Sequence, residues 1–130
     1  MTEPATLLAI ARDLCKGKTE GHLRTAVGRA YYASFHALTQ WHANLPMPGN
    51  PGAAKGEHEL LIQRLLHPDK KCAPEQRKLS MWFAQQLMSM RALRVIADYK
   101  LDERVTFDQA THMCGIASSV LEKASRPAAG

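Results

Sequence analysis

Apolar side chains return every three or four residues through five stretches of this chain, and prolines and glycines separate the stretches. That period is helical: at about 100° per residue, positions i, i+3, i+4 and i+7 share a face. The first stretch predicts a helix from Pro4 to about Lys16. Pro4 suits a first helical position, Leu7, Ala11 and Leu14 recur in register, and Gly17 is placed to end it. A second helix is expected from near Thr19 to about Ala43. Leu23, Val27, Ala30, Ser34, Ala37, Leu38 and Trp41 line one of its sides, and Pro46 forbids much continuation. The segment from Asn44 to Gly56 holds three prolines and three glycines, which supply turns rather than helix.

A short third helix is expected from Glu57 to Leu66, ended by Pro68, because the residue before a proline is pushed out of the α region. A fourth opens at Pro74 and runs to about Leu101, with Leu79, Trp82, Phe83, Leu87, Met90, Leu93 and Ala97 in its stripe. The fifth opens at Thr106, which stands at capping-box spacing from Gln109, and turns Phe107, Ala110, Cys114, Ala117 and Leu121 inward. No run of β-branched residues bounded by turns reads as a strand. The expected fold class is therefore all-α, an up-and-down bundle of four to five helices. Residues 1–124 form the single domain, and the small, polar, proline-containing segment 125–130 is expected to be a flexible tail.

Composition narrows this further. A chain of 130 residues suits one core, and 45% hydrophobic with 22% charged residues is ordinary globular usage. The longest uncharged run, Ala30 to Ala54, is broken by His36, His42, Asn44 and three prolines, so no membrane span is expected. The start of the chain carries Glu3, Pro4 and Asp13 rather than a basic-then-apolar pattern, and a cytoplasmic location is expected. Cys15, Cys72 and Cys114 are an odd count with no CxxC, which argues for free thiols, with Cys15 and Cys114 as small core residues. His58 and Glu59 lack the second histidine of an HExxH pair, so neither a metal nor a cofactor is expected. The net charge of +5 is compatible with an acidic partner but places none. Lys70, Lys71, Arg77 and Lys78 gather near the start of the fourth helix, but Asp69 and Glu75 interrupt them, as on a solvated face.

Two groups of residues stand out from the pattern. With Met90 at the centre of the fourth helix's stripe, Arg94 falls only about 40° away and points into the buried sector. A guanidinium there needs a carboxylate, carbonyls, an interface or a pocket. Asp98, four residues on, is the local partner, and Arg91 lies on the same flank. Spacing alone allows either an ion pair that sets register or a functional site. On the second helix Arg29, Tyr32 and His36 lie together at i, i+3 and i+7, on the side away from the stripe, while Tyr31 and Phe35 flank it. A cation, a phenol and an imidazole on one surface would serve phosphate contact and base stacking. They would equally serve as a packed helix edge.

The string RAYYASFHA from Arg29 to Ala37, a Pro/Gly loop, a short helix with His58, and RVIADY from Arg94 to Tyr99 follow in this order. Together they resemble the HEPN superfamily, and more narrowly its small standalone prokaryotic members, over roughly Thr19 to Glu122. The resemblance implies a helical bundle that dimerises about a two-fold. It also implies a role in RNA chemistry, since many members are metal-independent ribonucleases of toxin–antitoxin, abortive-infection and CRISPR-linked systems. In those an Arg and a His, four to six residues apart on the late helix, meet across the dimer and act on the 2′-hydroxyl and the scissile phosphate. Other members pair with a small nucleotidyltransferase. By this resemblance Arg94 is the family arginine, and Asp98 and Tyr99 end the motif.

The chain departs from the nuclease pattern, because no histidine lies four to six residues beyond Arg91 or Arg94. Activation of a 2′-hydroxyl wants a group titrating near neutrality, which neither Asp98 nor Tyr99 does unperturbed. An imidazole would have to come from His36 or His58, brought beside Arg94 by the fold. Candidate catalytic residues are thus Arg94, Asp98, Tyr99 and His36, and candidate substrate-binding residues Arg91, Arg29, Tyr32 and His58. Three readings stay open: an RNA-cleaving homodimer; a silent module that binds RNA, a nucleotide or a cognate nucleotidyltransferase; and a helical adaptor whose charge serves solubility. A second helix that is apolar nearly all round is central in its bundle or shared with a partner chain, and with the dimerisation that the resemblance implies this gives a homodimer as the expectation.

Overall fold

A computed structural model describes residues 3–17 and 19–126. Five helices account for its regular structure: α1 (Pro4–Lys16), α2 (Glu20–Ala43), α3 (Glu57–Leu66), α4 (Pro74–Tyr99) and α5 (Phe107–Ser125). Among the described residues none is in a strand, and the fold is an all-α bundle. The first and third helices have the bounds their sequence predicts. Thr19 and Thr106 are the N-caps of α2 and α5, each accepting from a backbone N–H three residues on, of His22 and Gln109. The Thr106–Gln109 capping box is complete, since Gln109 Oε1 in turn accepts from the Thr106 N–H at 2.9 Å.

The centre of the bundle is α2, which packs on α1, α5 and α4 and touches α3. Ala26, Ala30 and Ala33 are fully buried along it, and such small side chains let the neighbouring helices come close. Around them Tyr31, Leu38, Phe83, Leu87, Met90 and Met113 fill the core. Ser80 Oγ donates to the Leu65 carbonyl at 2.6 Å and joins α3 to α4. Segment 44–56 is a loop, as its composition predicts, and it is tied to the bundle. The Gly49 N–H donates to His42 Nε2 at 3.0 Å, and the Asn50 N–H donates to the His67 carbonyl at 3.0 Å. A Cβ at residue 49 would overlap the Arg64 carbonyl, so this close approach requires glycine.

Three expectations are corrected. Phe107 does not turn inward but is exposed, and Leu121 is only half-buried, because α5 buries Ala110, Met113, Cys114, Ala117 and Val120 instead. Phe107 is the first helical residue and lies at the rim, where no neighbouring helix covers it. In α1 the buried positions are Pro4, Leu8, Ala11 and Cys15, with Leu7 and Leu14 at the edge. The fourth helix stops at Tyr99, two residues before Leu101, because Arg24 of α2 takes its last carbonyls. Arg24 Nη1 donates to Ile96 and Ala97 at 3.0 Å and to Lys100 at 3.3 Å. Of the expected tail, Ser125 closes α5, Arg126 pairs with Glu122, and residues 127–130 lie outside the described part. No helix among the described residues is long and apolar enough to cross a membrane.

Candidate functional site

Arg94 points inward from α4, as its position on the helix predicts, with 14% of its side chain exposed. Its Nε lies 2.8 Å from Asp98 Oδ2, the i, i+4 partner expected from spacing. The Nε–H is not aligned on that oxygen, so the contact is an ion pair rather than a formed hydrogen bond. Nη2 donates to the Tyr32 hydroxyl of α2 at 3.0 Å. Aromatic faces complete the surroundings, with Cζ 5.4 Å from the ring centres of Tyr32 and Tyr99 and 5.9 Å from that of Tyr31. Burial works against the charge of Arg94, but Tyr32, Asp98, Tyr99 and Tyr31 outweigh it and raise its pKa above the usual arginine value. The close helix crossing that permits this is marked by Gly28, whose position faces Asp98 Oδ1.

The same tyrosines lead to both candidate imidazoles. Tyr31 is fully buried, and its hydroxyl is 2.8 Å from His58 Nδ1 on α3. Phe35 also packs against His58, ring centres 4.5 Å apart. His36 stacks on Tyr32 at 6.1 Å with planes 28° apart, one helical turn beyond the phenol that holds Arg94. Four aromatic residues from α2 and α3 thus form a contiguous wall behind the arginine: Tyr31, Tyr32, Phe35 and His58.

Burial sets the protonation states, and charge adds to it at His58. Burial, then the charges of Arg91 and Arg94, lower the pKa of His58 below the ordinary 6.5, so its imidazole is neutral at physiological pH. Burial pushes the Tyr31 phenol up to about 12, which keeps its proton in place. Arg91 is half-buried and enters none of the ion pairs among the described residues, although its charge reaches both Tyr31 and His58. A neutral imidazole, a protonated phenol and two guanidiniums therefore share one side of the bundle, between α2, α3 and α4. The chemistry available to them is anion binding with an adjacent proton acceptor.

Of the eight candidate residues, Arg94, Asp98, Tyr99, Tyr32, His36 and His58 belong to this contact network, and Arg91 joins it through its charge. Arg29 is exposed, one turn before Tyr32, and makes no hydrogen bond or ion pair among the described residues. Two contributors to the cluster escaped sequence reasoning. Tyr31 reads there as a flank of the α2 stripe, and nothing local marks it as the bridge from Arg94 to His58. Arg24 closes the end of α4 next to Asp98 and Tyr99, and only its i, i+4 spacing from Glu20 hinted at a role. A cleft of about 700 Å³ adjoins the wall through Phe35, with Thr39, His42, Lys55, Glu57 and Arg64 among its lining. No group of three or more His, Cys, Asp or Glu side chains placed to hold a metal ion exists among the described residues.

Comparison with models of protein families, with curated proteins and with solved structures finds no match to this chain.

Proposed function

We propose that this chain is a HEPN-type, RNA-binding protein of the toxin–antitoxin and defence kind, an up-and-down bundle assembled as a homodimer, with the α2–α3–α4 cluster as its RNA site. In this reading Arg91 and Arg94 hold a phosphate, and His58 supplies the imidazole missing from the motif on α4. The observation that carries it is Tyr31, whose ring lies beneath Arg94 and whose hydroxyl meets His58 Nδ1. When Nδ1–H donates to the Tyr31 oxygen, Nε2 keeps a free lone pair for the 2′-hydroxyl proton. The 2′-oxygen then bonds to phosphorus, the bond to the 5′-oxygen breaks, and that oxygen takes a proton from solvent or from His36. The neighbouring cleft, edged by Lys55 and Arg64, has room for one unpaired nucleotide.

A second reading is favoured by the bonds Arg94 already makes. Asp98 and Tyr32 occupy its guanidinium, which suits a catalytically silent module that binds RNA, a nucleotide or a partner nucleotidyltransferase through Arg91, Arg29 and His36. One experiment separates the two: a mixed pool of single-stranded and transfer RNA, incubated in EDTA with wild type, Arg94→Ala and His58→Ala and run on a sequencing gel. The nuclease reading expects cleavage by wild type and at least about a hundredfold loss in either variant, the lower end for general acid–base groups. Salt-sensitive binding without cleavage selects the silent module, and neither binding nor cleavage sinks both.

A further inference from the structure

Helix α1 is held to the bundle almost wholly by apolar packing. Its N-cap, Glu3, makes no side-chain capping bond, and its ion pair, Lys16 with Asp13, lies exposed within the helix. Among the described residues a single polar contact joins an α1 side chain to another helix, that of Cys15 with Cys114 of α5. The two Sγ atoms lie 3.9 Å apart across 99 positions of sequence, both thiols are free, and the residues are only 5% and 3% exposed. Bonded sulfurs stand about 2.05 Å apart, so the pair is roughly 1.9 Å short of a disulfide. Small neighbours ease that approach. Ala11 lies one turn before Cys15, Ala110 and Ala117 lie one turn to either side of Cys114, and none of the three has exposed surface. Side chains that end at Cβ let helices draw close. The third thiol, Cys72, is placed differently, with its Sγ donating to the Met47 carbonyl at 3.6 Å.

We infer that Cys15 and Cys114 are an oxidative modification site, whose reactant is a small hydroperoxide and whose product is a disulfide that fastens α1 to α5. The inference is independent of the RNA reading, since neither cysteine belongs to the α2–α3–α4 cluster. Burial, then the neighbouring Cys15, push the Cys114 thiol up to about 12, so Cys114 keeps its proton. The first attack therefore falls to Cys15, one residue before the end of α1, where local opening admits peroxide. Cys15 gives its proton to water, and the thiolate bonds to one oxygen of hydrogen peroxide. The O–O bond breaks, and the departing hydroxide takes a proton from solvent to become water. Cys114 sulfur then bonds to the sulfur of the Cys15 sulfenic acid, the S–O bond breaks, and the leaving hydroxide takes the Cys114 proton as a second water. The two sulfurs lose two electrons and the peroxide gains them. A cross-link that closes so long a loop removes conformational freedom from the unfolded chain, so the oxidised protein is the more stable form.

The test exposes the reduced full chain to a small excess of hydrogen peroxide, as wild type, Cys72→Ser, Cys15→Ala and Cys114→Ala, each shown to be folded by circular dichroism. Wild type and Cys72→Ser should lose the mass of two hydrogen atoms, run as single chains on a non-reducing gel and yield a peptide that joins Cys15 to Cys114. Their melting temperature should rise by about 5 °C or more. Amide exchange should slow along α1, and dithiothreitol should reverse both changes. Neither alanine variant should show the rise. Met81 and Met88, both exposed, gauge the oxidant. If they gain oxygen while Cys15 and Cys114 remain thiols, the pair is inert packing and the inference falls. A sulfinic acid at Cys15, a disulfide between chains, or an internal disulfide that leaves the melting temperature unchanged or lowered overturns it as well.

Discussion

Tyr31 shows how much one buried hydroxyl can decide. The residue has no exposed surface, and its hydroxyl meets His58 Nδ1 across 27 positions of sequence. Replacing it by phenylalanine keeps the ring beneath Arg94 and leaves an imidazole nitrogen without its partner. Tyr31→Phe should cost about 1–2 kcal/mol, within the range for one unsatisfied buried polar group, measured by urea denaturation. In the nuclease reading the same change should lower cleavage and leave RNA affinity within about twofold, because the phosphate contacts come from arginines. A matching loss of affinity in a binding titration would remove Tyr31 from the role of orienting His58. The Arg94–Asp98 pair was legible at this scale, since both residues lie on one helix four positions apart. The Tyr31–His58 pair was not, because no local period connects α2 to α3.

At the scale of elements, α4 is held at its end by α2. Arg24 donates to the carbonyls of Ile96, Ala97 and Lys100, and through Nη2 to those of Leu101 and Glu103, while Glu20 Oε1 accepts from both Arg24 and the Val105 N–H. A cation at a helix C-terminus satisfies carbonyls that have no partner within the helix and complements the helix dipole. Arg24→Ala should destabilise the protein by about 1.5–3 kcal/mol, the range for hydrogen bonds to a charged group. Amide exchange should speed up most at residues 100–105. If exchange rises evenly over all five helices instead, Arg24 has no special hold on this connection. Helix starts were legible from Pro4, Thr19, Pro74 and Thr106, each acting within one turn. The stop at Tyr99 was not, because it is imposed by a side chain more than seventy residues away.

Over the whole molecule, pH acts through two histidines and one glutamate. Burial is the first cause of the lowered pKa of both His42 and His58, with Arg64 adding to it at His42 and Arg91 at His58. The folded state therefore binds their protons less tightly than the unfolded chain. Their contribution is complete above the ordinary 6.5 and is lost as pH falls through the lower folded values. The pKa of Glu20 is lowered by the Val105 N–H and then by Arg24, so its contribution has the same sign and fades below 4.5. The melting temperature should fall between about pH 7.5 and pH 5.5, where unperturbed histidine titrates. His42→Gln should flatten that slope. An unchanged melting temperature over this window would show that neither imidazole is held neutral by the fold.

Periodicity, prolines and caps by themselves determined five helices, their order and most of their ends, because these features act through neighbours within a turn or two. They also turned Arg94 toward the core side of α4 and put Asp98 within reach as its candidate partner. Only the tertiary structure decided that His58 joins the aromatic wall behind Arg94, that His36 stacks on Tyr32, and that Phe107 faces solvent. The first and last of these depend on how helices distant in sequence are set against one another. That arrangement follows from the summed packing of side chains such as Ala30, Tyr31 and Phe83, which no single helix encodes.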